Sequence, residues 1–376
     1  MIPQASPRAS YLAHKDEIDA AVARVLAGGQ YITGFETIGF EKEFGEYLGG
    51  LEVIGTGSGT EAIHLALRAL GIGNGDVVIT VSQTAGATVT AIELAGAIPA
   101  LVDIHPRSFT IATNTLEESV AQFRCVYGDR LKAIIVVHLY GNPADMIKVK
   151  EISSRERLLV IEDCAQAHGA SIDHQKVGTW GDIAAFSFYP TKNLAAAGDG
   201  GAVATANRQI AEKARMIHEY GWKERYVSFI PGMNTRLDEL QAAILRVKLK
   251  YLDVENSRRR KIAEMYSELL PEGSVITPQV TKSSYHVYHQ YVIRTQKRDE
   301  LRKFLEANSI QTGIHYPLPV HLQPAYKQRL LTNGPLSVTE SVCHEILSLP
   351  VFPQLTDEQV LRVGQTILEW TRDAKS

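Results

Sequence analysis

The chain has 376 residues, 45% hydrophobic and 22% charged, with a formal net charge of -3. That balance is ordinary for a globular protein. It argues against nucleic acid as a main partner, and no apolar segment reaches the roughly 18 uncharged residues of a membrane span.

From Met1 to Ser10 no basic region precedes an apolar core, so no secretory signal is expected. His14 to Leu26 places Ile18, Val22, Val25 and Leu26 on one helical stripe. A strand ends at Ile54, and GTGSGT follows it. EAIHLALRAL (61–70) reads as a buried helix and VVITV (77–81) as a strand. ATVTAIELAGA reads as a helix closed by Gly96, and PALVDI (99–104) as the next strand. KAIIVVHLYG (132–141), LLVIED (158–163), IAAFSF (183–188) and GGAVAT (200–205) are apolar almost throughout. Such strands belong to parallel sheets covered on both faces. Their alternation with helices predicts an α/β fold, with a mostly parallel central sheet flanked by helices.

After Arg236 the period changes. Leu237, Leu240, Ile244, Val247, Tyr251 and Val254 recur every three or four residues, so a long, bent helix is expected to about Leu270. RRRK (258–261) reads as its solvated face. Beyond it YHVYHQYVI (285–293) and QTGIHY (311–316) look strand-like, and RDELRKFLEA (298–307) helical. Two helices close the chain, the last starting at Thr356 with Gln359 three residues on as a capping box. The pattern divides the chain into a large domain, 1–250, and a smaller C-terminal α/β domain, 251–376.

Three segments carry chemistry. In GTGSGTEAI, small residues at a helix N-terminus let Ser58, Gly59 and Thr60 approach a phosphate. The same segment also reads as a connector with Thr60 as N-cap. It is neither a P-loop nor a dinucleotide fingerprint, because no Lys follows and the glycines fall at 55, 57 and 59. In VIEDCAQAHGA, Asp163 ends an apolar strand, where α/β sheets place ligands, or else caps a following helix. In AFSFYPTKNLAAAGDGGAV, Lys192 follows a buried strand. Desolvation there would lower its pKa and make the amine nucleophilic; a solvated loop lysine is the alternative. A phosphate cradle, a strand-end lysine and a strand-end carboxylate are together the three groups that pyridoxal 5'-phosphate needs.

With those segments the sequence resembles the fold-type I pyridoxal-phosphate enzymes, and within them the sugar aminotransferases often called the DegT family. The resemblance runs over nearly the whole chain. It is carried by GSGTEAI, VVHLYGNPADM, VIEDCAQAHGA, FSFYPTKNLAAAGDGGAV, GMNTRLDELQAAIL and GIHYPLPVHLQPAY. It implies a Schiff-base role for Lys192, a pyridinium partner in Asp163, and a ring or O3' contact for Gln166. It implies phosphate contacts for Gly59, Thr60 and Ser187. Asn234 would reach the cofactor of a neighbouring subunit, which implies a homodimer with shared active sites. Members commonly carry an aromatic residue where this chain has Ala85. Relatives with histidine in place of the lysine are keto-sugar dehydratases, so Lys192 favours transamination.

The resemblance further implies glutamate as amino donor and a nucleotide-linked keto-sugar as acceptor, nearest a dTDP-3-keto-6-deoxyhexose. C4 or UDP-linked 3-keto acceptors, a dehydratase and a non-catalytic regulator are the alternatives. Tyr31, His168, Tyr220, Lys223, Arg225, His315 and Tyr316 are the candidate substrate contacts. Each reads equally as a surface or packed residue, and His168 as a packed histidine. His286, His289, His315 and His321 lack acidic or cysteine partners at ligand spacing, so no metal is expected. Cys125, Cys164 and Cys343 are widely spaced with no CxxC pair. Neither a disulfide scaffold nor a structural zinc site is expected, and a reducing cytoplasm fits.

Overall fold

The structure is a computed structural model that describes residues 1–270, 273, 275–280 and 283–373. Its centre is a sheet of β1 (Glu52–Thr56), β2 (Val77–Val81), β3 (Ile98–Val102), β4 (Leu131–Val137), β5 (Leu159–Asp163), β6 (Ile183–Ser187), β7 (Gly201–Thr205) and β8 (Leu331–Thr332). The spatial order is β1-β7-β6-β5-β4-β2-β3-β8. Neighbours from β6 to β8 pair in parallel, whereas β7 runs antiparallel to both β1 and β6.

The apolar runs explain this placement. Along β2, Val77, Ile79 and Val81 point into one core and Val78 into another. Along β4, Ile134 and Val136 join the first core, Ala133 and Ile135 the second. Alternate side chains of a strand face opposite ways, so a strand apolar throughout needs cover on both sides. Part of that cover is α1 (Gly59–Ala69), which buries Ile63, Leu65 and Leu67. Each such side chain contributes about 1.5–3 kcal/mol on burial. The parallel strands bring the chain ends after β2, β4, β5 and β6 to one edge of the sheet, where such folds bind ligands.

The expected long helix is two helices, α3 (Glu239–Leu249) and α4 (Leu252–Leu269), which meet at Lys250 and Tyr251. Beyond them a separate core gathers Tyr266, Tyr291, Leu301, Leu347, Val363 and Ile367. The C-terminal part does not stand wholly apart, because β8 completes the edge of the main sheet beside β3. QTGIHY forms no strand; it contributes a single bridge, Gly313 to Ser348. Within 285–293 regular pairing covers only Ser284–Tyr285 and Tyr291–Arg294. The stretch 286–290 instead carries buried polar side chains that bond loops. RRRK is not a solvated face throughout. Arg259 is buried, and its guanidinium donates to the carbonyls of Tyr288 and Val351. The final capping box is present: Gln359 N donates to Thr356 Oγ1 at 3.3 Å, and Thr356 N to Gln359 Oε1 at 3.1 Å.

Candidate active site

A cleft of about 280 Å³ opens at that sheet edge, lined by Ser58, Gly59, Thr60, Ala85, Asp163, Gln166, Ser187 and Lys192 among others. Loops after β1, β2, β5 and β6 supply these residues. Sequence-distant motifs converge because parallel strands all end on the same side.

The loop after β1 is shaped by capping and close approach. Ser58, not Thr60, is the N-cap of α1: its hydroxyl accepts from Glu61 N at 3.2 Å. Gly59 and Thr60 then open the helix at the cleft. A Cβ on Gly59 would stand 2.6 Å from Ser187 Cβ, and one on Gly201 would stand 2.5 Å from the Ser58 carbonyl. Only glycines let these chains pack so closely. The result is a helix N-terminus beside the Ser187 hydroxyl, an anion-binding arrangement.

Asp163 ends β5, and no helix follows it, which removes the capping alternative. Its Oδ2 accepts from Thr88 Oγ1 at 3.0 Å and its Oδ1 from Ala165 N at 3.1 Å. Burial pushes its carboxyl above the ordinary range, opposed by those two bonds and by Lys192. Lys192 lies in the loop after β6, where its N donates to Tyr189 O at 2.9 Å. Burial lowers the Lys192 amine from 10.5 to about 8, and the nearby Asp163 charge works against that fall. Among the described residues neither Asp163 nor Lys192 forms an ion pair.

Gln166 Oε1 accepts from Tyr140 N at 2.7 Å, and its Nε2 donates to Tyr316 OH at 3.2 Å. Tyr316 is thereby tied to the cleft wall, and burial raises its phenol to about 12. His315 turns its ring the other way, with Nδ1 2.8 Å from Ser348 Oγ. Ala85 lines the cleft as the N-cap residue of α2 (Gly86–Leu94).

His168 does not face the cleft. Its ring is fully buried, 5.7 Å from both Phe186 and Phe188, with neither nitrogen bonded. Burial depresses it to about 3, so it is neutral. The ring is packed among aromatic side chains and is not among the residues that line the cleft. Tyr31, Tyr220, Lys223, Arg225 and Asn234 also lie off the cleft, exposed to solvent. Lys223 belongs to a hairpin of Trp222–Glu224 and Val227–Ser228, and Arg225 to its turn. Asn234 bridges Glu219. Its neighbour Thr235 accepts from Gly57 N and donates to Glu61, so this segment docks on the outside of the α1 N-terminus.

The motifs alone did not single out Thr84, Thr88 or Tyr189. The two threonines, four apart in SQTAGAT after β2, bond each other at 2.9 Å, and Thr88 then holds Asp163. The i, i+4 spacing at a strand end was the available signal. His138, Glu162 and Cys164 cluster within 4.8 Å. Glu162 already accepts from His138 Nε2 and from the amides of Gly178, Trp180 and Gly181. His138 Nδ1 accepts from Ala144 N. The His138 and Glu162 atoms are thus engaged in shaping the turn.

The residues fit pyridoxal 5'-phosphate. A buried carboxylate without a cation suits a protonated ring nitrogen, a desolvated amine suits a carbonyl carbon, and the α1 N-terminus suits a phosphate.

The family model for the DegT/DnrJ/EryC1/StrS aminotransferases matches residues 13–368. The dTDP-3-amino-3,4,6-trideoxy-alpha-D-glucose transaminase of Streptomyces venezuelae is 42% identical over 370 residues, 98% of this chain and 96% of that protein. A Geobacillus stearothermophilus protein named pleiotropic regulatory protein is 43% identical over 374 residues, 99% of each. The crystal structure of S. venezuelae DesV, in complex with a ketimine intermediate, gives a TM-score of 0.94 at 42% identity and covers 98% of each chain. NtdA of Bacillus subtilis with bound cofactor PMP gives 0.87 at 32% identity, covering 95% of this chain and 82% of that one.

Proposed function

This chain belongs to the DegT/DnrJ/EryC1/StrS aminotransferase family, and we propose that it moves the amino group of glutamate to the keto carbon of a dTDP-linked 3-keto-6-deoxyhexose. It is a pyridoxal-phosphate-dependent sugar aminotransferase. The observation that supports the reading is the meeting of Lys192, Asp163 and the α1 N-terminus in one cleft. The transaminase relative at 42% identity supports this choice of acceptor.

When bound, the cofactor supplies an electron sink for the carbon that loses its proton. Lys192 would hold it through its amine. The Lys192 amine would take a proton from the donor's Cα and deliver one to the sugar carbon in the reverse half-reaction. Its lowered pKa leaves a useful fraction as free base near neutral pH. Asp163 keeps the ring nitrogen protonated, and Thr88 and Ala165 N keep Asp163 in place. Gly59, Thr60 and Ser187 receive the phosphate, while Ser58 keeps the helix end open. Gln166, held by Tyr140 N and Tyr316, would contact the ring face or its O3'.

The working form in this proposal is a homodimer. Phe35 is 75%, Tyr226 72%, Ile38 61% and Phe229 56% exposed, which is unusual for apolar side chains in a lone chain. Tyr31, Lys223, Arg225 and Asn234 sit with that face, off their own cleft, and a second copy would carry them to the other subunit's cleft. A cytoplasmic location accords with the free Cys125, Cys164 and Cys343; no described helix is long and apolar enough to cross a membrane.

The test is the visible spectrum of the loaded protein. Loss of the band with glutamate and its return with dTDP-3-keto-6-deoxyglucose is the expected result. Loss without return overturns the acceptor. A band indifferent to glutamate overturns transamination and leaves a regulator.

A further inference from the structure

The loop that carries Lys192 is fastened from behind by a chain of buried side chains. His289 Nδ1 lies 3.2 Å from Asn193 Oδ1. Asn193 Nδ2 donates to Asn256 Oδ1 at 2.8 Å and to Val287 O at 3.1 Å. Asn256 Nδ2 donates to His168 O at 2.8 Å. Asn193, Asn256 and His289 are all buried. The bonds fix one direction throughout. Because Asn193 points its nitrogen at two oxygens, its own oxygen faces His289, which must then carry its proton on Nδ1. Burial keeps His289 neutral, consistent with that tautomer.

Aligned donors of this kind strengthen one another in a low-dielectric interior. The chain joins three pieces of the molecule: the loop after β6, helix α4 and the segment 286–290. Through His168 O it also grips the turn that follows Asp163. On its far side the same loop is tied by Ala196 N to Phe188 O at 2.7 Å and by Ala197 N to Gln241 Oε1 of α3 at 2.8 Å. Among the described residues, the hydrogen bond that ties this loop to α4 is made by Asn193, the residue next to Lys192.

We propose that Asn193 is a positioning residue: through Asn256 and His289 it clamps the Lys192 loop against α4, so that the amine stays aimed into the cleft beside Asp163. The proposal rests on Lys192 being the amine that holds the cofactor. Neither leucine nor alanine at 193 offers a donor for Asn256 and Val287 or an acceptor for His289. The loop then loses its hydrogen bond to α4 and keeps only apolar packing there, and the amine gains freedom and water. The titratable groups around that amine are Asp163, His168, His289 and His315.

Two measurements test this. Apo protein is treated with an amine-selective reagent across pH, and modification of Lys192 is followed by mass spectrometry. The loaded protein is assayed for kcat and for KM of the sugar. Asn193→Ala is expected to raise the labelling midpoint by about half a unit or more, because hydration favours the ammonium. It should lower kcat by roughly 10-fold to 100-fold through misplacement of the amine, with KM nearly unchanged. Asn256→Leu, one link further off, should move both readouts the same way by less, and it carries the test if Asn193→Ala does not fold. A lower melting temperature with an unchanged midpoint and unchanged kcat makes the network purely structural and overturns the proposal. If borohydride fixes no cofactor on wild-type Lys192, the reading of Lys192 fails instead.

Discussion

The cleft around Lys192 and the face that bears Tyr31 and Asn234 differ in how far a single chain completes them. Around the cleft, polar groups find partners within the chain: Thr88 bonds Asp163, Tyr140 and Tyr316 bond Gln166, and Ser58 bonds the first turn of α1. On the other face, large apolar side chains such as Phe35 and Tyr226 stand in solvent. The Lys223–Arg225 stretch lies in a hairpin whose cations rest over the rings of Phe229 and Tyr226. The difference teaches that folding alone preorganises the cleft, whereas under the homodimer proposed above the outer face would gain its partners from a second copy. Asn234, which the resemblance assigns to a neighbouring subunit's cofactor, is not among the residues that line this chain's own cleft.

Lys192→Ala breaks the comparison most severely. It is expected to abolish turnover and borohydride trapping, while gel filtration shows an unchanged particle. Near wild-type turnover in that variant would sink the assignment. Asp163→Asn removes a charge but keeps the shape, and it should cost about 10²-fold in kcat, the scale of one lost preorganised electrostatic contact; stopped-flow decay of the visible band with glutamate reads it.

Phe35→Asp acts on the other face only. It should shift the sedimentation coefficient toward the monomer and make activity fall on dilution, with the isolated chain still folded by circular dichroism. A monomeric variant at full activity would leave the apolar face without a catalytic role.

The pH profile sharpens the contrast further. A lysine depressed to about 8 gains free base as pH rises through that value. Labelling of Lys192 in the apo protein should therefore rise through pH 8, below the ordinary range of a solvated lysine; a midpoint in that ordinary range would mean Lys192 is solvated. The smallest effect is expected from Thr356→Ala, which deletes one half of an exposed cap at the start of the last helix. It should lower stability by about 1 kcal/mol, measured by urea denaturation, and leave kcat and sedimentation alone.

VVITV was legible as β2 to the residue because a short apolar run between turns has few other uses. RDELRKFLEA matched its helix for the same local reason. The Thr356 cap was readable because both partners lie within one turn. QTGIHY misled because an apolar run becomes a strand only if a neighbouring strand is free to pair, and here one bridge to Ser348 is all the surroundings allow. RRRK misled because composition does not reveal that Tyr288 and Val351 carbonyls wait for Arg259. The break between α3 and α4 was visible only as a possible bend.

By itself the sequence determined the strand-end motifs and therefore the chemistry: a lysine, a carboxylate and a glycine-rich helix start, each set by residues a few positions apart. The tertiary structure decided which of the remaining polar residues face the cleft. It buried His168 between Phe186 and Phe188, hung Thr88 on Asp163, and left Asn234 on an outer face. Those outcomes depend on contacts between residues tens to hundreds of positions apart. Such contacts form only once the sheet has stacked its strands, so no local spacing encodes them.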